Sequence, residues 1–154
     1  MNSEEFVRAI SNLQPDLIFL AGCRVMTKGT LSRMPCPVVN YHAGVTPRYR
    51  GMNGGYWALA SGEPDQFGST IHIVNEGIDT GLILEQTRCL PEPGDSIITY
   101  PYTLAAASRA ACVKVVEDVL AGHMDTIPAV GRSQPWYHPP IWQYLWTGLS
   151  ARVW

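Results

Sequence analysis

Charge is scarce in this chain. Only 16% of its 154 residues are Asp, Glu, Lys or Arg, while 46% are apolar. Soluble domains usually carry about a quarter charged residues, so part of this surface is implied to be covered. The net charge of −2 argues against a nucleic-acid module driven by phosphate contacts. Long apolar runs are missing too. None reaches membrane-spanning length, and no basic segment precedes an apolar one, so the chain reads as cytoplasmic with no membrane partner. The four cysteines, Cys23, Cys36, Cys89 and Cys112, form no C-x-x-C pair. That disfavours zinc and a dense disulfide frame, and implies reduced, mostly buried thiols and no metal. There is no repeat, no low-complexity tract and no run of like charge. No G-x-G-x-x-G occurs either; Gly51, Gly54 and Gly55 miss its spacing. The length fits one domain with a real core.

What is present reads as alternating helices and strands. Asn2 and Glu5 stand at capping-box spacing, and Phe6, Ile10 and Leu13 share one helical face before Pro15 ends the helix. Asp16 to Gly22 is an apolar run closed by Gly, a buried parallel strand. A second strand, Pro37-Val38-Val39, runs into Asn40. Alternation there puts Asn40 and His42 on one side and Tyr41 on the other. Asn53 is set to cap a helix through Tyr56, Trp57, Leu59 and Ala60, stopped by Gly62 and Pro64. Ser69 to Asn75 alternates Thr70, His72 and Val74 against Ile71 and Ile73, the pattern of a half-buried strand. Leu82 to Leu90 is another strand, and the short link between them makes the pair antiparallel. Asp95 is a candidate cap for a long Ala-rich helix reaching Ala121. Pro101 fixes its regular start near Pro101 or Tyr102, and Leu104, Ala111, Val115 and Val119 form its packing face. From Pro128 the tail is rich in Pro and Trp. Pro139 to Leu149 reads as one short helix with Ile141, Trp142, Leu145, Trp146 and Leu149 apolar. The division is therefore a domain over 1–127 and a tail over 128–154 that packs on the domain or on a partner subunit. His123 and His138 read as ordinary surface or tail residues.

Two stretches carry chemistry: Asn40-Tyr41-His42 with Pro47 and Arg50-Gly51 after it, and Thr70-Ile71-His72 leading to Asp79-Thr80-Gly81. Taken singly, Asn40 has a bland use in bonding loop backbone, and Asp79 in starting a turn beside Gly81. As an ordered set, Asn-x-His, a Pro, a basic-Gly step and an Asp-x-Gly some three dozen residues on, they resemble the 10-formyltetrahydrofolate-dependent formyltransferase family. The resemblance runs from about Pro15 to Gly122. It implies an α/β, Rossmann-like sheet of parallel strands plus an antiparallel hairpin, with helices on both faces. Family members begin with a strand and a Gly-rich turn well before the equivalent of Leu17. The expectation is thus a domain shortened at its N-terminal side, with the Leu17–Ala21 strand near an edge of the sheet.

Formyl transfer is acyl transfer: an amine attacks the formyl carbon and the carbonyl oxygen becomes an oxyanion. The site must supply donors to that oxygen and a path for the amine proton. The resemblance assigns this work to Asn40, His42 and Asp79. Asn40 is an uncharged donor, His42 an imidazolium that passes a proton to the departing folate nitrogen, and Asp79 the group that keeps His42 charged and accepts the amine proton. No nucleophilic side chain is required. The resemblance places Arg24, Val25, Met26, Val74, Asn75, Glu76, Gly77 and Ile78 around the pterin, and Tyr49, Arg50, Gly51 and His72 toward the acceptor. Where members often have Ser-Leu-Leu-Pro, this chain has Ala43-Gly44-Val45-Thr46-Pro47. The phosphate-binding turn of the purine enzymes and the extra C-terminal domain of the tRNA enzyme have no counterpart. The implied activity is formyl transfer from 10-formyltetrahydrofolate to a small-molecule amine. Hydrolysis of the same cofactor, and a catalytically silent folate-binding or assembly module, stand as alternatives. The aromatic tail points to a homodimer.

Overall fold

The computed structural model describes residues 1–154. In chain order the elements are α1 (Glu4–Leu13), β1 (Ile18–Ala21), α2 (Lys28–Leu31), β2 (Val38–His42), β3 (Arg50–Gly51), α3 (Gly54–Ala60), β4 (Gly68–Ile73), β5 (Ile83–Arg88), α4 (Tyr100–Ala107), α5 (Arg109–Leu120), β6 (Pro135–Trp136) and α6 (Ile141–Ala151). Four strands make one sheet in the order β1-β2-β4-β5. β1 and β2 are parallel, with Leu20 opposite Asn40. β4 runs antiparallel to β2, and β5 antiparallel to β4. β1 is an edge strand, and its Phe19 is 36% exposed.

Strand alternation sorts the core onto two faces. Val38 joins Ile18, Leu20 and Met26 under Phe6 and Ile10 of α1 and Leu31 of α2. Val39 turns the other way and joins Ile71, Leu84 and the α5 residues Val115 and Val119. A third, aromatic cluster holds Tyr49, Tyr56, Trp57, Phe67, Tyr100 and Leu104. Each such apolar side chain contributes roughly 1.5–3 kcal/mol on full burial. The result is an α/β sheet with a parallel pair, an antiparallel hairpin and helices on both faces.

Several local expectations are corrected. Ser3, not Asn2, caps α1, its side chain accepting from the Phe6 N–H; Asn2 instead bonds Val25 and Thr27. β4 is buried on both faces rather than one, because it lies between β2 and β5 with helices above and below. The Ala-rich segment is two helices. They part at Ser108, whose hydroxyl bonds the Leu104 carbonyl (2.7 Å) and Ser69 Oγ (2.5 Å), pinning the break to β4. Asp95 organises the turn before α4 by accepting from Thr99 and Thr103 and makes no cap. All four cysteines are free, and Cys23 is exposed rather than buried.

The tail returns to the front of the molecule. β6 pairs in parallel with β3, Gly51 opposite Trp136. The Trp136 ring stacks on Trp57 with centroids 4.4 Å apart. Trp57 Nε1 donates to the Tyr137 carbonyl at 2.8 Å. Asn53, which makes no helix cap, has its side-chain amide 2.9 Å from His138 Nδ1, so His138 is an anchor rather than a bystander. In α6 the buried residues are Thr147 and Gly148, and Tyr144 packs against the aromatic cluster. Trp142, Trp146 and Leu149 are more than 70% exposed. No helix is long and apolar enough to cross a membrane.

Candidate functional site

The pairing of β2 with β4 sets Asn40 opposite His72 and His42 opposite Thr70. Paired residues share a face, so one amide and two imidazoles stand together where β2 ends. Asp79 reaches them from the link between β4 and β5. Its backbone is left-handed, with φ 49°. The link closes tightly because Gly81 has no side chain: a Cβ there would overlap the Ile73 carbonyl and stand 3.1 Å from His72 Nδ1.

Asp79 is the centre of the cluster. Its Oδ2 accepts the Gly51 N–H at 2.9 Å and faces His42 Nδ1 at 3.4 Å. Its Oδ1 lies 3.4 Å from both Asn40 Nδ2 and His72 Nε2. Only the bond from Gly51 has full-strength geometry; the others are long and readily exchanged.

The carbonyls nearby set the tautomers. His42 Nε2 is 2.7 Å from the Tyr49 carbonyl. A carbonyl only accepts, so Nε2 carries the proton and the Nδ1 lone pair faces Asp79. The same logic at His72, with Nδ1 3.0 Å from the Ile73 carbonyl, leaves Nε2 turned toward the Asn40 amide at 3.2 Å. In this arrangement the His72 lone pair takes the Asn40 amide and the His42 lone pair faces the Asp79 carboxylate, so a proton has a place between His42 and Asp79. Burial pushes His42 below the usual imidazole range, although Asp79 and the Tyr49 carbonyl pull it back up. That direction favours the neutral ring at rest, whereas the resemblance has Asp79 keep it charged. Burial works to raise the Asp79 carboxyl, but the polar groups facing it, the His72 and His42 imidazoles and the Gly51 N–H, together hold it below its ordinary value. It stays a carboxylate.

Two cavities meet here. The larger, about 610 Å³, runs from Asn40, His42 and Asp79 to Tyr56, Tyr100 and Trp136. The smaller, about 70 Å³, lies among Arg24, Val25, Met26, Val74, Asn75, Gly77 and Ile78, with Asn40, His72 and Asp79 in its wall. Asn40 and Asp79 border both.

Most residues singled out in the sequence come together around these spaces, and three stand apart. Glu76 points outward to an exposed ion pair with Lys28 at 2.7 Å. Tyr49 is 1% exposed and lines neither cavity; its hydroxyl bonds Glu63 at 2.8 Å, and it offers the site only its carbonyl. Arg50 ties β3 to the Asp79 link through the Ile78 carbonyl at 2.7 Å, while Gly51 lines the larger cavity. Met52, Tyr56, Tyr100, Trp136 and Tyr137 were not foreseen as lining residues. For Trp136 and Tyr137 the only signal was an aromatic-rich tail, since their place depends on the pairing of β6 with β3.

Residues 1–116 match the formyl transferase family. A methionyl-tRNA formyltransferase of Desulfotalea psychrophila is 31% identical over 123 residues, 79% of this chain and 38% of that protein. The chain thus spans about four-tenths of the length of this relative. Among solved structures, a sugar N-formyltransferase of a Shewanella species superposes with a TM-score of 0.71 at 21% identity, over 86% of this chain and 52% of the other. A formyltransferase from Anoxybacillus kamchatkensis, solved with tetrahydrofolate and UDP-4,6-dideoxy-4-formamido-L-AltNAc, gives 0.63 at 22% identity, over 78% of this chain and 63% of the other.

Proposed function

The chain belongs to the formyltransferase family, and from that premise we propose that it moves a formyl group from 10-formyltetrahydrofolate to a small-molecule amine. The observation that carries this reading is the position of Asn40 and Asp79 in the wall common to the two cavities. A donor in one space and an acceptor in the other would meet at those residues. The tetrahydrofolate in the Anoxybacillus structure supports a folate donor. Arg24, Val25, Met26, Val74, Asn75, Gly77 and Ile78 would hold its pterin in the smaller space. That space must widen to admit it, and its outer wall, Asn75 to Ile78 apart from buried neighbours, is exposed enough to move.

Catalysis follows from the place for a proton between His42 and Asp79. The amine attacks the formyl carbon, and the carbonyl oxygen takes up the negative charge. Asn40 Nδ2 exchanges its long bonds to His72 and Asp79 for a bond to that oxygen. The attacking nitrogen becomes acidic, and its proton enters between His42 Nδ1 and Asp79. That proton then leaves on the folate nitrogen as the old carbon–nitrogen bond breaks and the new one remains. His72 keeps Asp79 and Asn40 in place.

The test is incubation with 10-formyltetrahydrofolate, with and without amino-sugars and other amines, following tetrahydrofolate release. Amine-dependent release is expected. Release of formate without an amine would replace transfer by hydrolysis, and folate binding with no release would leave a silent module. We further propose that residues 1–127 supply the catalytic residues while Pro135 to Tyr137 wall the larger cavity, and that the outer face of α6 pairs two subunits. Sedimentation that finds only monomer at tens of micromolar, in well-folded protein, rules the dimer out.

A further inference from the structure

The loop from Ala43 to Arg50 carries the carbonyl that fixes His42, and it is tied down at two places. At its start, Thr70 Oγ1 donates to the Gly44 carbonyl at 2.9 Å and accepts the Thr46 N–H at 3.0 Å. At its end, Glu63 takes two neighbours at once. One carboxylate oxygen pairs with the Arg48 guanidinium, and the other accepts the Tyr49 hydroxyl at 2.8 Å. Glu63 lies in the turn after α3, outside both cavities, and its side chain is 28% exposed. The Arg48–Glu63 pair is partly open to water on both sides, so its worth for stability alone is small.

What it does control is the Tyr49 backbone. The Tyr49 ring is buried and stacks near Trp136 with centroids 6.0 Å apart, so the hydroxyl bond to Glu63 sets how deep the ring sits. Its carbonyl is then 2.7 Å from His42 Nε2. The fit has no slack: a Cβ on Gly44 would lie 2.6 Å from that same Nε2. We propose that Glu63 is a positioning residue for formyl transfer, clamping Arg48 and Tyr49 so that the Tyr49 carbonyl holds His42 with its Nδ1 lone pair toward Asp79. This rests on the formyl-transfer reading given above. If the clamp opens, His42 loses its acceptor, both tautomers become available, and the proton-accepting nitrogen no longer faces Asp79.

The experiment has one arm that needs no turnover. Nitrogen-15 spectra of the His42 ring in the full chain report which nitrogen is protonated. The parent is expected to show Nε2–H alone and Glu63→Ala a mixture, with Glu63→Gln close to the parent because an amide oxygen still accepts the Tyr49 hydroxyl. In kinetics, Glu63→Ala is expected to lower kcat about tenfold or more, the scale of a misplaced reacting group. KM should change little, and the acid fall of the pH profile should move to lower pH because a loosened carbonyl no longer favours the charged ring. Tyr49→Phe, which removes one hydroxyl, should show the same signs in smaller degree and serves if Glu63→Ala does not fold. A Glu63→Ala or Tyr49→Phe protein with parental kcat per folded site and pure Nε2–H would overturn the proposal. If the parent has no transfer activity but the tautomer shifts as stated, the clamp stands and the formyl-transfer reading falls.

Discussion

Around Asp79 polar side chains crowd inward, while along α6 apolar side chains turn outward. His42 and His72 are 8% and 3% exposed, whereas Trp142 and Trp146 are 72% and 71% exposed. Both regions run against the usual sorting of residues, and they resolve it differently. The cluster compensates internally, with the Gly51 N–H, the Tyr49 and Ile73 carbonyls and the Asn40 amide giving partners to the buried groups. The helix has no such compensation; Ile141 to Ala151 contains no charged residue at all. An interfacial membrane helix would carry Lys or Arg on its polar face, so a protein surface suits α6 better. The cluster finds partners for its buried groups within the chain, and the helix leaves its apolar face in solvent.

Three measurements sharpen that contrast. The largest effect is expected at the cluster: His42→Ala or Asp79→Ala should lower turnover by roughly two orders of magnitude or more. Folate affinity, read by titration calorimetry, should move far less. Turnover equal to the parent in both variants would remove the site from Asp79. Next, Trp142→Glu combined with Trp146→Glu should weaken self-association by about 2 kcal/mol or more, the usual worth of a buried aromatic anchor, and leave turnover per chain unchanged. Sedimentation of parent and variant side by side decides this, and equal profiles would leave α6 without that role. The smallest effect concerns pH. The His42 imidazole is depressed from 6.5 and the Asp79 carboxyl from 3.8. In both, the unfolded chain binds protons at a higher pH than the folded one, so stability rises with pH. The His42 contribution is full above about 6.5 and fades as pH falls toward its lower folded value; that of Asp79 fades at still lower pH. Urea midpoints should therefore drop between pH 7.5 and 5, and His42→Gln should flatten the drop while α6 variants do not.

The sequence made some of this legible and not the rest, for physical reasons. Period-two alternation was enough to put Asn40 and His42 on one face, because strand geometry leaves no other choice. Asp79 was found through the resemblance, since a turn Asp beside a Gly has no signature of its own. At Glu76 the side chain turns out to Lys28, and a pterin contact made by backbone groups leaves no side-chain signature to read. The uniform helical reading up to Ala121 failed at Ser108, where a side-chain bond to β4 competes with helix continuation. The aromatic wall was hidden because Gly51 and Trp136 are joined by strand pairing across a long stretch of chain, and no local pattern announces such a contact.

The stacked indoles of Trp57 and Trp136 have an optical consequence. At 4.4 Å between centroids and 25° between planes, their electronic transitions couple, and the pair should give the circular dichroism spectrum a split band that isolated tryptophans lack. Trp142 and Trp146 lie out in solvent and belong to no stacked pair. Since Trp136 borders the larger cavity, any molecule that pries the tail from α3 would uncouple the two rings. The chain thus carries a built-in gauge of how far that wall has opened, readable in solution without a label.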